Sequence, residues 1–475
     1  MITSQRNSWN NNGLWILISP LIIIMFIYLL FSTHFGGHVK INNPHNGIET
    51  YDALAEAILH GHININYNPS DYRLKPIAKD LSFYDNKYYL YWGIAPAILF
   101  YVPFRAIFAT PLPDVVIVYL LMVGAFFFAI AIIFHVRNRF YPTVSNIYLA
   151  CAFMIIGMGN IASYMLQQAR VYEATAASGH FFFMGGLYGI TRWLLDKKLN
   201  AGYLIISSLF FGITILSQPI YCPAMACILM LLIYVILKKE DSKNMFYQIT
   251  AIVIPFIMCF ILSSLYNYIR FNDAFEFGLR FQNNGLQFKK ITFDAMPRGF
   301  YLQVLQPPVI LQHFPYLSSR GNDSISSFLS FKFEDYNYRM ISLFYITPIL
   351  WIFFIPLNKA VSYILKTRHQ RFHLASILNR LNVHVLNESR LIKTIILIAF
   401  IVNFLFILAY PYNDFRYQIV YIVPALILAT FIWFEHLTIY FSQYNYTQRL
   451  LLNPYILMPI FTVVSLFTNF MVSFL

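Results

Sequence analysis

Long apolar runs separated by short polar breaks dominate the chain. They fall at Leu14–Phe31, Val115–Phe134, Ile147–Ser163, Thr175–Leu195, Ala201–Ser217, Cys222–Leu237, Met245–Leu265, Ile341–Leu357, Thr394–Tyr410, Gln418–Phe434 and Pro454–Leu475. A helix needs about 20 residues to cross a hydrocarbon core of about 30 Å, and the shorter runs reach across with help from flanking Tyr and Trp. The pattern predicts an all-α polytopic membrane protein with about eleven transmembrane helices, forming a single integral membrane domain over 1–475. The first run follows one basic residue, Arg6, and continues as HFGGHVKINN without a small-residue cleavage pattern, so it is expected to be an uncleaved first span.

One stretch fits this pattern badly. DLSFYDNKYYLYWGIAPAILFYVP, Asp80 to Pro103, turns apolar at Gly93, but Pro96 and Pro103 interrupt it and Arg105 follows. Charge decides its placement. With Gly93–Pro113 kept on one side, the loops HVRNR, DKK, KKEDSK and Lys359–Lys393 share a face, and the last carries seven basic residues against Glu388 alone. Short basic loops face the cytoplasm. A crossing at Gly93–Pro113 would turn that loop outward, so the stretch is expected to be an interfacial or re-entrant helix on the extracytoplasmic side. The expected layout is a first extracytoplasmic loop over 34–114 with interfacial helices, a second large one over 267–340, and a basic cytoplasmic loop over 358–393.

Composition agrees. The chain is 59% hydrophobic and 11% charged, and its mean hydropathy is +0.59, more apolar surface than a soluble domain of 475 residues can hide. The net charge of +13 would suggest a nucleic-acid partner in a soluble protein; here its distribution makes it a topology signal, and no nucleic-acid partner is expected. Cys151, Cys222, Cys227 and Cys259 lie in apolar runs without a CxxC pair and read as small buried hydrophobes. No GxGxxG, Walker A, HExxH or GxSxG pattern occurs. The histidines show no ligand spacing, so no structural metal is predicted.

Candidate chemistry gathers at the extracytoplasmic ends of the runs. His34–Trp92 holds Glu49, Asp52, Glu56, Asp71, Asp80 and Asp85, six of only 20 acidic residues, although it is a small part of the chain. ETYDALAEAILHGH reads as a helix of about two turns on the membrane surface, stopped by Gly61, with Glu49 and Asp52 three apart on one side. Asp52 or Thr50 as an N-cap is the structural reading; a general base for an acceptor hydroxyl is the functional one. LQQARVYEATAASG places Arg170, Tyr172 and Glu173 at a span end, where Arg170 either snorkels or pairs with Glu173. PYNDFRYQ places Arg416 and Tyr417 at another, where Arg416 either pairs with Asp414 or takes a phosphate. YNYIRFNDAFEFGLRFQ carries Arg270, Glu276 and Arg280, either as a packing segment or as a phosphate or anionic-lipid site. Asp80, Asp85, Lys87, Tyr88 and Tyr89 are expected to wall a cavity near Glu49 and Asp52.

DALAEAILHGHI, the Asp80–Pro103 stretch, ARVYEATAASG, YNYIRFNDAFEFGLRFQ, LQHFPYL and FRYQIVYIVPALIL, together spanning roughly residues 50 to 430, resemble the GT-C superfamily of polytopic glycosyltransferases. That superfamily includes protein O-mannosyltransferases and aminoarabinose transferases; the nearer likeness is to a poorly characterised bacterial subgroup. The resemblance implies inverting transfer of a hexosyl or pentosyl group from a polyprenyl-phosphate donor to an envelope glycan, lipid or protein, outside the bacterial cytoplasmic membrane. It assigns the base to Glu49 or Asp52, a second acidic position to Glu173, and the late RY pair to Arg416 and Tyr417. Arg170, Arg270 and Arg416 would then serve the donor phosphate, with Tyr172, Asp80, Asp85, Tyr89 and Arg280 in support. The chain lacks the paired DE of better-known members, having Glu49-Thr50-Tyr51-Asp52 instead, and has GIAP where they have KPP, which leaves the choice of base open. The superfamily contains metal-dependent and metal-independent members, so a divalent cation also stays open. The alternative is a transporter or lipid flippase, which would want mid-span charges and matched halves.

Overall fold

The computed structural model describes residues 11–36, 49–66, 81–196, 199–239, 242–282, 291–314, 316–318, 341–354, 388–410, 414–443 and 454–474. The labelled helices are α1 (Asn11–Ser32), α2 (Thr50–Leu59), α3 (Val102–Phe108), α4 (Asp114–Phe140), α5 (Asn146–Met158), α6 (Ala162–Gln168), α7 (Val171–Leu195), α8 (Ala201–Ser217), α9 (Cys222–Lys239), α10 (Ser242–Phe271), α11 (Glu388–Ala409), α12 (Ile419–Gln443) and α13 (Pro454–Val472). Seven helical stretches among the described residues are long and apolar enough to cross a membrane, and Ala201–Ser217 and Ile456–Val472 are shorter apolar helices beside them. The fold is that of an all-α polytopic membrane protein.

Burial sorts the helices by role. In its most apolar window α12 is 89% buried and α10 is 28% buried, so α12 is the axis of the bundle and α10 lies at its rim. α4 packs on α7, α7 on α8 and α8 on α10; α1 and α13 pack on α5, and α11 on α12 and α9. α7 is as long as the spans but more polar, with Thr175, Ser178, His180 and Thr191 buried in protein. Its small residues let α8 approach: a Cβ on Gly189 would stand 2.2 Å from Ser207 Oγ. The expected run Ile147–Ser163 is broken at Gly159–Asn160 into α5 and α6. Asn160 covers the break, donating to Ile156 O (2.6 Å) and accepting from Ala162 N (2.6 Å).

The expected span Ile341–Leu357 is a correction. Over the described part, to 354, it forms a short helix, Leu343–Ile346, and a 3₁₀ segment, Pro348–Phe353. Thr347 leaves the helical conformation (φ −130°, ψ 76°) and Pro348 supplies no N–H, so the helical ladder ends there. Asn469 of α13 satisfies the freed Ile346 O, donating to it at 3.1 Å, and Thr347 Oγ1 in turn donates to Gly159 O at the break between α5 and α6 (2.8 Å).

Gly93–Pro113 forms a π-helical turn, Ala97–Tyr101, continued by α3. Together they run twelve residues, Ala97–Phe108, about 18 Å of rise, too short for the core. Before them comes an element the run pattern did not predict, a hairpin of β1 (Leu81–Tyr84) and β2 (Lys87–Leu90) with Leu81 opposite Leu90 and Tyr84 opposite Lys87. Its two-residue turn is Asp85-Asn86, with φ of 48° and 54°, the left-handed geometry that Asx residues tolerate. At Gly93 the chain runs against the end of α8 so closely that a Cβ would lie 2.0 Å from Leu216 O.

The described ends of the bundle differ in charge. One end gathers the starts of α4, α7 and α12 with α2, α3 and the hairpin, and holds Glu49, Asp52, Asp114, Glu173 and Asp414. At the other, Arg139 pairs with Glu388 (3.5 Å), Lys393 with Glu435 (2.7 Å), and Arg137 Nε donates to Val144 O (2.9 Å).

Candidate active site

The carboxyl groups at the acidic end come from four elements. α2 lies against α3 with Thr50, Tyr51, Asp52, Ala53, Leu54 and Ala55 buried, so it is packed into the protein. Glu49 occupies its N-cap position without capping by side chain, so neither Asp52 nor Thr50 is the cap. Asp52 is completely buried, and its Oδ2 accepts from Arg105 Nη1. Arg105 Nη2 reaches Glu56 Oε2 at 2.9 Å, so one guanidinium of α3 clamps two carboxylates of α2. Asp52 Oδ1 has no hydrogen-bond partner. Burial raises the Asp52 carboxyl above its usual range, with Arg105 opposing.

Glu49 Oε2 accepts the backbone N–H of Asp114, the first residue of α4, and the two carboxyl groups lie within hydrogen-bond reach of each other. Tyr101 donates its hydroxyl to Asp114 Oδ1. Burial first, and then the Asp114 carboxyl, push Glu49 up to about 9. Tyr51 stacks on Tyr101 (5.4 Å between centroids), donates to Gly93 O (3.1 Å) and exchanges a hydrogen bond with Thr175 Oγ1 (3.0 Å). It ties α2 to α7 and to the segment before α3.

Glu173 stands one turn into α7 and lies within electrostatic reach of Asp114. Its Oε2 accepts from Arg170 N (3.1 Å) and its Oε1 faces Arg416 Nη1 at 3.7 Å. Arg416 also pairs with Asp414 (3.2 Å) and lies over the rings of Tyr172 (4.2 Å) and Tyr417 (5.5 Å). The expected Arg170–Glu173 side-chain pair is replaced by Arg416–Glu173. Arg170 holds the N-cap position, exposed, and offers Glu173 its backbone N–H. Arg416 has two carboxylate partners.

Arg270 stands apart from this cluster. It is 2% exposed beneath the hairpin, donating to Leu90 O, to Asn267 Oδ1 (2.6 Å) and to Tyr266 O (3.4 Å), with the Tyr266 ring 3.7 Å from its guanidinium carbon. Among the described residues no carboxylate pairs with it. It lines a cavity of about 660 Å³ with Tyr84, Asp85, Lys87, Tyr89, Tyr268 and Asn272. The wall expected from Asp85, Lys87 and Tyr89 therefore exists, but it faces Arg270. Tyr51 joins the two regions, being within electrostatic reach of both Asp114 and Arg270. Arg280 is 68% exposed in its side chain and pairs with Glu276 at 3.2 Å, on the segment that packs beside the hairpin. Asp80 and the greater part of Lys359–Lys393 lie outside the described residues.

Sequence reasoning missed Asp114, Tyr101 and the role of Arg105. Asp114 follows Pro113 at the start of an apolar run, which reads as an ordinary helix-dipole residue. The signal was its position, a carboxyl entering a membrane span. Among the described residues no group of three His, Cys, Asp or Glu side chains is placed to hold a metal ion, and no step below is routed through one.

No protein-family model matches the chain, and no curated protein matches it. Among solved structures it is similar to the crystal structure of the Archaeoglobus fulgidus oligosaccharyltransferase in the apo form, with a TM-score of 0.50 and 13% identity over 97% of this chain. The chain spans about half of that structure's length, 55%. At this identity the likeness is one of fold: the helices of this chain follow those of an oligosaccharyltransferase.

Proposed function

We propose that the protein is an inverting glycosyltransferase that moves a sugar from a polyprenyl-phosphate donor to a hydroxyl of an envelope glycan, lipid or protein on the extracytoplasmic face of a bacterial cytoplasmic membrane. The observation that carries the reading is the carboxyl cluster of half-buried Glu49 with buried Asp52, Asp114 and Glu173 at one end of a bundle with an oligosaccharyltransferase-like fold. The basic groups at the other end support the orientation, because short basic loops face the cytoplasm. With the cluster outside, a lipid-linked donor supplies the activated sugar where nucleotide sugars are absent.

Glu49 is the base in this reading. Asp52 is neutralised by Arg105 and fully enclosed, whereas Glu49 is half-buried at the open end of α2. The acceptor oxygen attacks the anomeric carbon, the bond from that carbon to the phosphate oxygen breaks, polyprenyl phosphate leaves, and the hydroxyl proton passes to the Glu49 carboxylate. Arg270 suits the phosphate. Burying a cation without a counter-ion is costly, and an anionic ligand in the adjoining cavity would provide one. Lys87 adds a second positive charge to that wall and Asp85 one negative. Arg416, with two carboxylate partners, and exposed Arg170 are placed less well for it, and Tyr172, Tyr417 and Tyr89 shape the walls.

Radiolabelled sugar transfer from a polyprenyl-phosphate donor by the full chain in lipid nanodiscs tests this. Glu49→Gln should lose about 100-fold or more in rate, the usual worth of a general base, and Asp52→Asn should lose less. Unchanged product with both variants would remove these carboxyls from the chemistry.

A further inference from the structure

We propose that Glu49 and Asp114 act as one unit, a carboxyl pair that holds a single proton between them, and that Asp114 is the positioning partner that sets when Glu49 can accept the acceptor's proton. The inference rests on the glycosyl-transfer reading for its functional half; the shared proton stands on geometry.

The pair is assembled from two elements. Glu49 precedes α2 and Asp114 opens α4, and the Glu49 carboxyl accepts the Asp114 amide, which holds it at the residue that carries the second carboxyl. Asp114 is 3% exposed. Two carboxylates in contact away from water do not both ionise unless a cation stands with them. The charged and titratable groups facing the pair are Asp52, Tyr51, Tyr101 and Glu173. The cations nearest the cluster have other partners: Arg105 is held by Asp52 and Glu56, and Arg416 by Glu173 and Asp414. Among the described residues no cation pairs with Glu49 or Asp114. A proton is the remaining neutraliser. Tyr101 points its O–H at Asp114 Oδ1 and the Asp114 N–H points at Glu49 Oε2, so each carboxyl has one donor that favours its charge and the proton is shared between them. For transfer, that proton shifts onto Asp114 and Glu49 becomes the acceptor of the hydroxyl proton. Bonds and charge balance, because the pair goes from one proton to two as polyprenyl phosphate departs with its negative charge.

Infrared spectroscopy of the full chain in nanodiscs, with titration, reads the proton without reference to turnover. At neutral pH the protonated-carboxyl band, identified by its shift in heavy water, should lose the intensity of one group in Glu49→Gln, the same in Asp114→Asn, and no more than that in the double variant. Tyr101→Phe keeps both carboxyls and should move the titration of that band to higher pH; it also serves if Asp114→Asn does not fold. A wild-type pair with no such band, a double variant that loses two groups, or a band whose titration ignores Tyr101→Phe overturns the proposal. A band that is absent until a chelator is added also overturns it, because a bound cation would then be the neutraliser. If the band behaves as stated and no sugar is transferred from any polyprenyl-phosphate donor, the glycosyl-transfer reading fails and the proton-sharing pair stands.

Discussion

A buried carboxylate survives on its partners, and Asp52 has one that matters. Arg105 is 19% exposed in its side chain and gives one nitrogen to Asp52 and another to Glu56. Removing one partner of a buried pair costs roughly 3 kcal/mol or more because the other is left uncompensated. Arg105→Met should therefore lower the melting temperature in detergent, and Asp52→Leu added to it should restore part of the loss. The pH dependence has a definite sign. Burial already raises the Asp52 carboxyl, so the folded protein binds its proton more tightly than the unfolded chain does. Arg105→Met raises it further. The defect should be small below pH of about 4, the unfolded value, and should grow toward neutral pH. A defect equal at all pH values would show that Arg105 works through packing alone.

At the scale of elements, the long apolar runs were legible because a hydrocarbon core imposes a length and excludes charge. Ten of the eleven expected runs coincide with helices, α5 and α6 together making one of them. Ile341–Leu357 does not, because apolar content says nothing about the ladder that Pro348 interrupts. The hairpin escaped for the opposite reason: its four-residue strands are too short for periodicity to register, and Asp85-Asn86 reads as polar loop until the turn geometry is seen. At the site, Glu49, Asp52, Tyr172, Glu173, Arg416 and Tyr417 were legible as polar groups at span ends. Which of them pair was not, because pairing depends on helices far apart in sequence. Gly93 carries this lesson into a test. Its Cα faces the Leu216 carbonyl, and its own carbonyl accepts from Tyr51. Gly93→Ala would have to displace backbone rather than a pliable side chain. We expect a loss of about 1–3 kcal/mol, read as a lower melting temperature, with transfer falling further because Tyr51 loses its seat. A variant as stable as the parent would mean that the α8 end yields easily.

For the whole molecule, the two ends define an orientation that can be read directly. In a chain whose native cysteines are replaced, Thr110→Cys, just past α3, should react with an impermeant thiol reagent added to intact cells. Asn138→Cys, at the far end of α4, should react only after the membrane is opened. The reverse pattern would turn the carboxyl cluster toward the cytoplasm and remove the reason for a lipid-linked donor.

One last feature bears on supply. The cavity over Arg270 opens at the end of α10, and below it that helix shows an exposed apolar row that includes Ile254, Met258, Ile261, Leu265 and Ile269. A molecule with a long hydrocarbon tail and a phosphate head meets that row from the side, within the bilayer, before its head reaches the guanidinium. Its encounters are two-dimensional, and occupancy follows its mole fraction among lipids by mass action. Adding buffer leaves that fraction unchanged, whereas adding bystander lipid dilutes it. On the glycosyl-transfer reading proposed above, therefore, donor concentration is a property of the membrane.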